Sequence, residues 1–418
     1  MWATSLDLRY FSCFAIRFSV AGATCGRGPR IFLSMNHLTI LDTVRSKLFQ
    51  TSPPRKEQIG QPSCDWTSLA GLGRDPFHRL WARRIFTVPL YFLLLGLSLV
   101  LAPLAIPLAA LIDLMRRSPW VLCRTILFLL LYLACEGAGI TASFFLWLAA
   151  SLGRNRSAAD YLWRNFALQN LWVRVLAGGA FRLFSIRLEV EGLEDYRGRP
   201  ILLFCRHVST ADTVLPAYLV AEPQRILLRY VIKRELLLDP CLDIVGNRLP
   251  NYFVRRGSGE SESEIEKVKC LLRDLRPGHG VLIYPEGTRF TPSKRERILK
   301  RLAEKGDRES LRRALGLQFV LPPRLGGSLA ILENNPGADA VFCAHAGLES
   351  TTSIGRLWRG GLVGSTVRVK FWRVPYEEIP RGKEALIEWL WREWSRVNAF
   401  VGRYVQPGSF RLGPSRSP

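Results

Sequence analysis

Two long apolar runs dominate the first third of the chain. Residues 85–114 are almost uninterrupted until Asp113, and residues 125–152 hold one charge, Glu136. Each exceeds the roughly 20 residues that a helix needs to cross a bilayer. Pro103 and Pro107 kink the first run, which a membrane helix accommodates. The short connector carries Arg116, Arg117 and Arg124. The outer flanks are basic as well, with Arg79, Arg83 and Arg84 before the pair and Arg154, Arg156 and Arg164 after it. The runs predict a membrane-embedded helical pair, spanning or re-entrant, with both outer ends on the cytoplasmic side. Glu136 inside the second run calls for a structural partner.

From about residue 186 the period shortens to that of strands separated by helices. Strands are expected at 186–190, 201–205, 226–231, 281–284, 340–344 and 367–372, and helices at 211–220, 262–275, 293–314 and 384–400. This alternation predicts an α/β fold: a largely parallel sheet flanked by helices, preceded by the membrane-embedded helical pair. The implied divisions are a basic, poorly ordered N-terminal arm over 1–80, two membrane helices over 81–156, an α/β domain over 157–380, and a C-terminal helix and tail over 381–418. The first fifty residues contain Asp7 and Asp42 as their only acids. That start resembles a transit peptide, and Arg17 breaks its apolar patch. A disordered arm and an extension ahead of a true start at Met35 are the competing readings.

Charge narrows the partners. Lys and Arg total 58 against 35 Asp and Glu, a formal net charge of +23. Such a surplus points to an anionic partner. A hydrophobic fraction of 48% with 12 Trp favours a membrane over nucleic acid, and no nucleic-acid-binding motif is visible. The 9 cysteines are scattered and never spaced as Cys-x-x-Cys, against a disulfide framework or zinc site. Cys205, two positions before a histidine, reads as a buried apolar residue rather than a nucleophile.

Two short blocks carry candidate chemistry. The first, RHVSTAD, runs from Arg206 to Asp212 directly after a predicted strand. His207 at a strand's C-terminal end sits where open α/β sheets place ligands. A carboxylate beside a histidine fixes its tautomer and stabilises the imidazolium, the minimum apparatus for drawing a proton from an alcohol. On a regular helix His207 and Asp212 would stand about 140° apart, so they meet only across a turn; Ser209 and Thr210 are plausible caps for it. The second block, YPEGTR, covers Tyr284 to Arg289 and turns out of another buried strand. Arg289 can hold a phosphate through two hydrogen bonds, Thr288 can donate one, and Gly287 lets the backbone approach.

Between the blocks lie KREL from Lys233 and a glycine-to-arginine stretch from Gly246 to Arg256. Phe319 to Arg324 reads as a strand ending in a proline turn. This order of blocks resembles the glycerolipid acyltransferase superfamily, best known for the 1-acylglycerol-3-phosphate acyltransferases, over roughly 185–375. The KREL run, Phe290 and the LPPR turn resemble its lysocardiolipin-type branch.

The resemblance implies His207 as general base and Asp212 as its orienting partner. It also implies Glu286, Gly287, Thr288 and Arg289 in acceptor-phosphate binding and site architecture, with Arg256 or its neighbour Arg255 as a further phosphate ligand. It implies acyl transfer from acyl-CoA or acyl carrier protein to a lysophospholipid hydroxyl, without metal, cofactor or acyl-enzyme. Competing readings are a CoA-independent transacylase, an aminolipid acyltransferase, and a non-catalytic lipid-binding protein. Arg206 departs from the Asn common before the histidine, and its charge either favours an anionic acceptor or points to solvent. His345 lies near a predicted strand end and matches no motif. Residues 294–313 carry 9 basic against 4 acidic positions, a solvated helix or a contact for anionic headgroups. Trp389, Trp391 and Trp394 read as core packing or interfacial anchors.

Overall fold

The computed structural model describes residues 30–33, 75–153, 157–254, 262–349 and 360–405. Most of the expected N-terminal arm, and Arg255 and Arg256, lie outside the described residues.

Helices α1 (Phe77–Met115) and α2 (Val121–Ser151) form the apolar pair. Both are long and apolar enough to cross a membrane. The outer face of α1 leaves Leu97, Leu104 and Leu111 more than half exposed. Helix α3 (Ala158–Leu183) follows, opened by Ser157, whose side chain accepts from the Asp160 amide.

The pair does not project away from the rest of the chain. Near one end, Arg83 and Arg84 grip the buried Asp243 at 2.5 and 2.8 Å. Near the other, Arg124 donates to the Leu183 carbonyl and, at 2.9 Å, to Ser185 Oγ. Between them Glu136 accepts from Trp172 Nε1 at 3.0 Å and from the Cys241 amide at 3.2 Å, the structural partners its position called for. The basic flanks thus serve as docking contacts as well as a charge signal.

The sheet has eight strands, ordered β1-β2-β8-β7-β3-β6-β4-β5. These are β1 (Arg30–Leu33), β2 (Arg187–Glu191), β3 (Ile201–Cys205), β4 (Leu227–Lys233), β5 (Tyr252–Val254), β6 (His279–Ile283), β7 (Asp339–Ala346) and β8 (Thr366–Val374). Strands β7, β3, β6, β4 and β5 run parallel to one another. Strand β8 lies antiparallel to β7, β2 parallel to β8, and β1 antiparallel to β2.

Strand β3 is buried at all five positions because both of its faces are covered, which is why it reads as a continuous apolar run. Ile201, Leu203 and Cys205 face a core shared with α3. Leu202 and Phe204 face a second core. That second core is closed by α5 (Glu262–Lys269), α8 (Leu325–Glu333) and α9 (Lys383–Gly402). Trp389, Trp391 and Trp394 are buried in it, which decides for core packing.

The expected helix over 293–314 is two helices, α6 (Pro292–Glu304) and α7 (Arg308–Leu315). Gly306 at φ +69° ends the first, and the Asp307 side chain caps the second by accepting from the Ser310 amide. The 211–220 helix is replaced by a 3-10 turn at Ala211–Val214 and a π turn at Ala217–Ala221. The predicted strand after Phe319 is no strand; the Leu321 amide donates to a side chain, Glu286 Oε2, instead of joining the ladder.

Candidate active site

The turn after β3 brings His207 and Asp212 together. His207 Nδ1 and Asp212 Oδ1 stand 2.8 Å apart, with Asp212 fully buried and the His207 side chain 12% exposed. The turn closes because Asp212 Oδ2 accepts from the amides of Val208 at 2.6 Å and Ser209 at 2.8 Å. Those two bonds replace the regular helix start that would have separated the pair. Burial opposes the Asp212 charge, yet the His207 hydrogen bond and the Ser209 amide hold its carboxyl below the usual carboxylate range. The carboxylate therefore stays ionised under the imidazole. His207 Nε2 is left for chemistry.

Glu286 does a different job from a phosphate ligand. It is 1% exposed. Its Oε1 accepts from the His207 amide and its Oε2 from the Leu321 amide, both at 2.9 Å. Burial pushes its pKa up to about 8, against the pull of Arg206 and the two amides. The Phe290 amide completes the frame by donating to the His207 carbonyl at 2.8 Å. The Glu286 turn thus holds the histidine's main chain at both polar groups.

The rest of the block forms the rim. Gly287 sits at φ +63°, a backbone conformation that favours glycine, and the Arg324 side chain packs where a Cβ would lie. Arg289 is exposed and donates to Thr210 Oγ1 at 3.0 Å, across the opening from its own turn. Lys294, from the first turn of α6, donates to Thr288 Oγ1 and to the Arg289 carbonyl, both at 2.9 Å. Burial lowers the Lys294 pKa, and the nearby charges of Lys233, Arg289 and Arg297 lower it further. Several cations therefore converge beside His207, an arrangement that calls for an anion. Lys233, the last residue of β4, opens the KREL run, and Lys294 opens the basic 294–313 segment, so both stand in basic stretches that the sequence displays.

Arg206 follows neither course expected of it. It is fully buried, donating to Glu349 Oε1 and the His345 carbonyl, each at 2.7 Å, and to the Phe319 carbonyl at 3.0 Å. It reaches neither solvent nor the rim, because alternation along β3 turns it to the face opposite His207.

A cavity of about 320 Å3 opens beside His207 and reaches Gly139 of α2. Its wall is mostly apolar and includes Trp172, Val214, Val231, Leu242 and Ile283. The Tyr284 ring also lines it, 4.7 Å from the His207 ring centre. One face of the cavity comes from α4 (Pro240–Gly246), the element fastened to Arg83 and Arg84. A greasy cavity and a basic rim therefore meet at one histidine.

The Acyltransferase family matches residues 187–319, which hold both blocks. Over that segment the chain is similar to the glycerolipid acyltransferase superfamily. It is 32% identical over 168 residues to a 1-acyl-sn-glycerol-3-phosphate acyltransferase of Pseudomonas aeruginosa, covering 40% of this chain and 59% of that relative. It is 26% identical to the gamma form of Mus musculus over 46% of this chain and 50% of the relative. The delta form of Bos taurus is 25% identical over 46% and 49%. The chain thus spans about half to three-fifths of the length of these relatives. The matched segment holds His207, Asp212, Glu286 and the basic rim, while α1 and α2 lie before it.

Proposed function

We propose that the protein is a membrane-embedded acyltransferase that moves a fatty acyl group from a thioester donor, acyl-CoA or acyl carrier protein, to the hydroxyl of a lysophospholipid, 1-acylglycerol-3-phosphate first among them. The observation that carries this reading is the position of His207, orientated by Asp212 between an apolar cavity and a rim of Arg289 and Lys294.

His207 Nε2 takes the proton of the acceptor hydroxyl, and the Asp212 carboxylate stabilises the imidazolium that forms. The freed oxygen attacks the thioester carbonyl; the carbon–sulfur bond breaks, and the thiolate leaves with a proton returned from His207. Arg289 and Lys294 hold the acceptor phosphate, and the cavity receives an acyl chain. Because Arg83, Arg84 and Arg124 tie α1 and α2 to the α/β domain near both ends, we read the pair as bedded lengthwise in one leaflet, catalytic domain on the cytoplasmic face.

Membranes containing the protein, incubated with labelled acyl-CoA and a panel of lysolipids, test this directly. The wild type is expected to yield diacyl product and His207→Ala to lose at least about 10³-fold. Equal product from both would sink the mechanism. Release of CoA without acceptor would point to thioester hydrolysis instead.

A further inference from the structure

A second histidine stands behind the first. His345 lies on β7, two residues beyond Cys343, as His207 lies two beyond Cys205 on β3, and the two cysteines are register partners. Alternation therefore turns both histidines to the same face of the sheet, with Asp212 between them. His345 Nε2 stands 2.9 Å from the Arg206 carbonyl and 3.6 Å from Asp212 Oδ2. A carbonyl can only accept, so Nε2 carries the proton. The side chain is fully buried, and its Nδ1 has no hydrogen-bond partner.

The contact is returned. The Arg206 guanidinium donates to the His345 carbonyl, so each residue's side chain grips the other's main chain. Glu349 anchors the exchange, accepting from Arg206 through Oε1 and from the Gly347 amide through Oε2 at 2.7 Å each. Arg206 is bonded directly to His207, so its carbonyl belongs to the peptide plane that places the base.

We propose that Arg206 and His345 form a reciprocal positioning pair that sets the His207 backbone and steadies Asp212 for acyl transfer. The proposal rests on His207 as the base. The pair touches no substrate; it acts through His207. Its placement accounts for a charged residue where the superfamily commonly has Asn, because only a long cation reaches His345, Glu349 and Phe319 together.

The test compares three variants. His345→Phe keeps a planar aromatic ring, somewhat larger, and deletes the donor. In His345→Gln the amide nitrogen takes the place of Nε2, whereas in His345→Asn it falls one methylene short. Kinetics are read as kcat and KM, folding by thermal unfolding in detergent, and His207 itself by its rate of carbethoxylation, followed by peptide mass spectrometry. Loss of the pair is expected to lower kcat about 10- to 100-fold, the scale of a small misplacement at a reacting centre, with KM within about twofold. His207 labelling should slow several-fold, because a loosened Asp212 makes Nε2 less nucleophilic. His345→Gln should restore most of both, and His345→Asn neither.

A folded His345→Phe with wild-type kcat and labelling overturns the proposal. So do Gln and Asn variants that behave alike, which is what a merely structural polar residue would give. If the wild type transfers no acyl group, the acyltransfer reading fails, while His207 labelling across the variants still decides the pair.

Discussion

The floor and the rim of this site are built in opposite ways. On the floor, Asp212 and Glu286 each have both oxygens occupied and are buried, and the His207 main chain is bonded at its amide and its carbonyl. At the rim, Arg289 is exposed, and among the described residues its side chain holds on by one hydrogen bond of 3.0 Å to Thr210. Buried charges must be fully satisfied or they are costly, so the floor is rigid. Exposed cations carry no such penalty and can re-aim at whatever anion arrives. One motif, Glu-Gly-Thr-Arg, spans both regimes: its first residue is floor and its last is rim.

The comparison predicts different kinetic signatures. The largest effect short of losing His207 should come from Asp212→Asn. The amide cannot accept everything the carboxylate accepts, and it cannot stabilise an imidazolium. A loss of about 10³–10⁴-fold in kcat is expected, with little change in the acceptor KM. A KM change as large as the kcat change would place Asp212 among the binding groups and blur the distinction.

Arg289→Ala should do the reverse. Losing a charge-assisted bond of about 1.5–3 kcal/mol raises the KM for a phosphate-bearing acceptor by roughly 10- to 100-fold. The kcat should change little. Added salt should mimic part of the effect in the wild type, since the rim is screened and the floor is not. Arg289→Lys should recover only part of the loss, because an ammonium lacks the paired donors of a guanidinium. An acceptor without phosphate should be indifferent to all three. A fall in kcat alone would make Arg289 part of the floor.

This division also explains what the sequence could disclose. Both motifs were legible because each follows a run of buried apolar residues that could only be a central strand, and strand ends are where such folds keep their ligands. The pairing of His207 with Asp212 needed the turn that the Val208 and Ser209 amides build, and spacing alone argued against it. Depth was not legible. Glu286 and Arg289 are three residues apart and equally charged in the sequence, yet one is 1% exposed and the other open to solvent. Arg206 looked like a surface charge because the residues that swallow it, Phe319, His345 and Glu349, come from more than 100 positions away. Helix α3 was legible too, since its buried positions Leu162, Phe166, Val173, Ala177 and Phe181 recur at helical spacing along one face.

The smallest effect, and the sharpest on the floor itself, concerns Glu286. Its pKa stands near 8 in the folded protein and 4.5 in the open chain. Between those values the folded state binds a proton that the unfolded state has released. This group's contribution to stability is therefore complete below about pH 4.5 and is lost as pH rises through 8. Glu286→Gln cannot ionise and should escape that loss. It should also begin lower, because its amide nitrogen cannot accept from one of the two amides that Glu286 serves. The melting temperature of the variant is thus expected to lie below that of the wild type at pH 5.5, with the gap narrowing steadily towards pH 8.5. Thermal unfolding in detergent across that range measures it. Parallel curves would mean that Glu286 keeps its charge throughout, so that Arg206 and the two amides outweigh burial. The floor would then be an ionised network, not one that shares a proton with solvent near neutral pH.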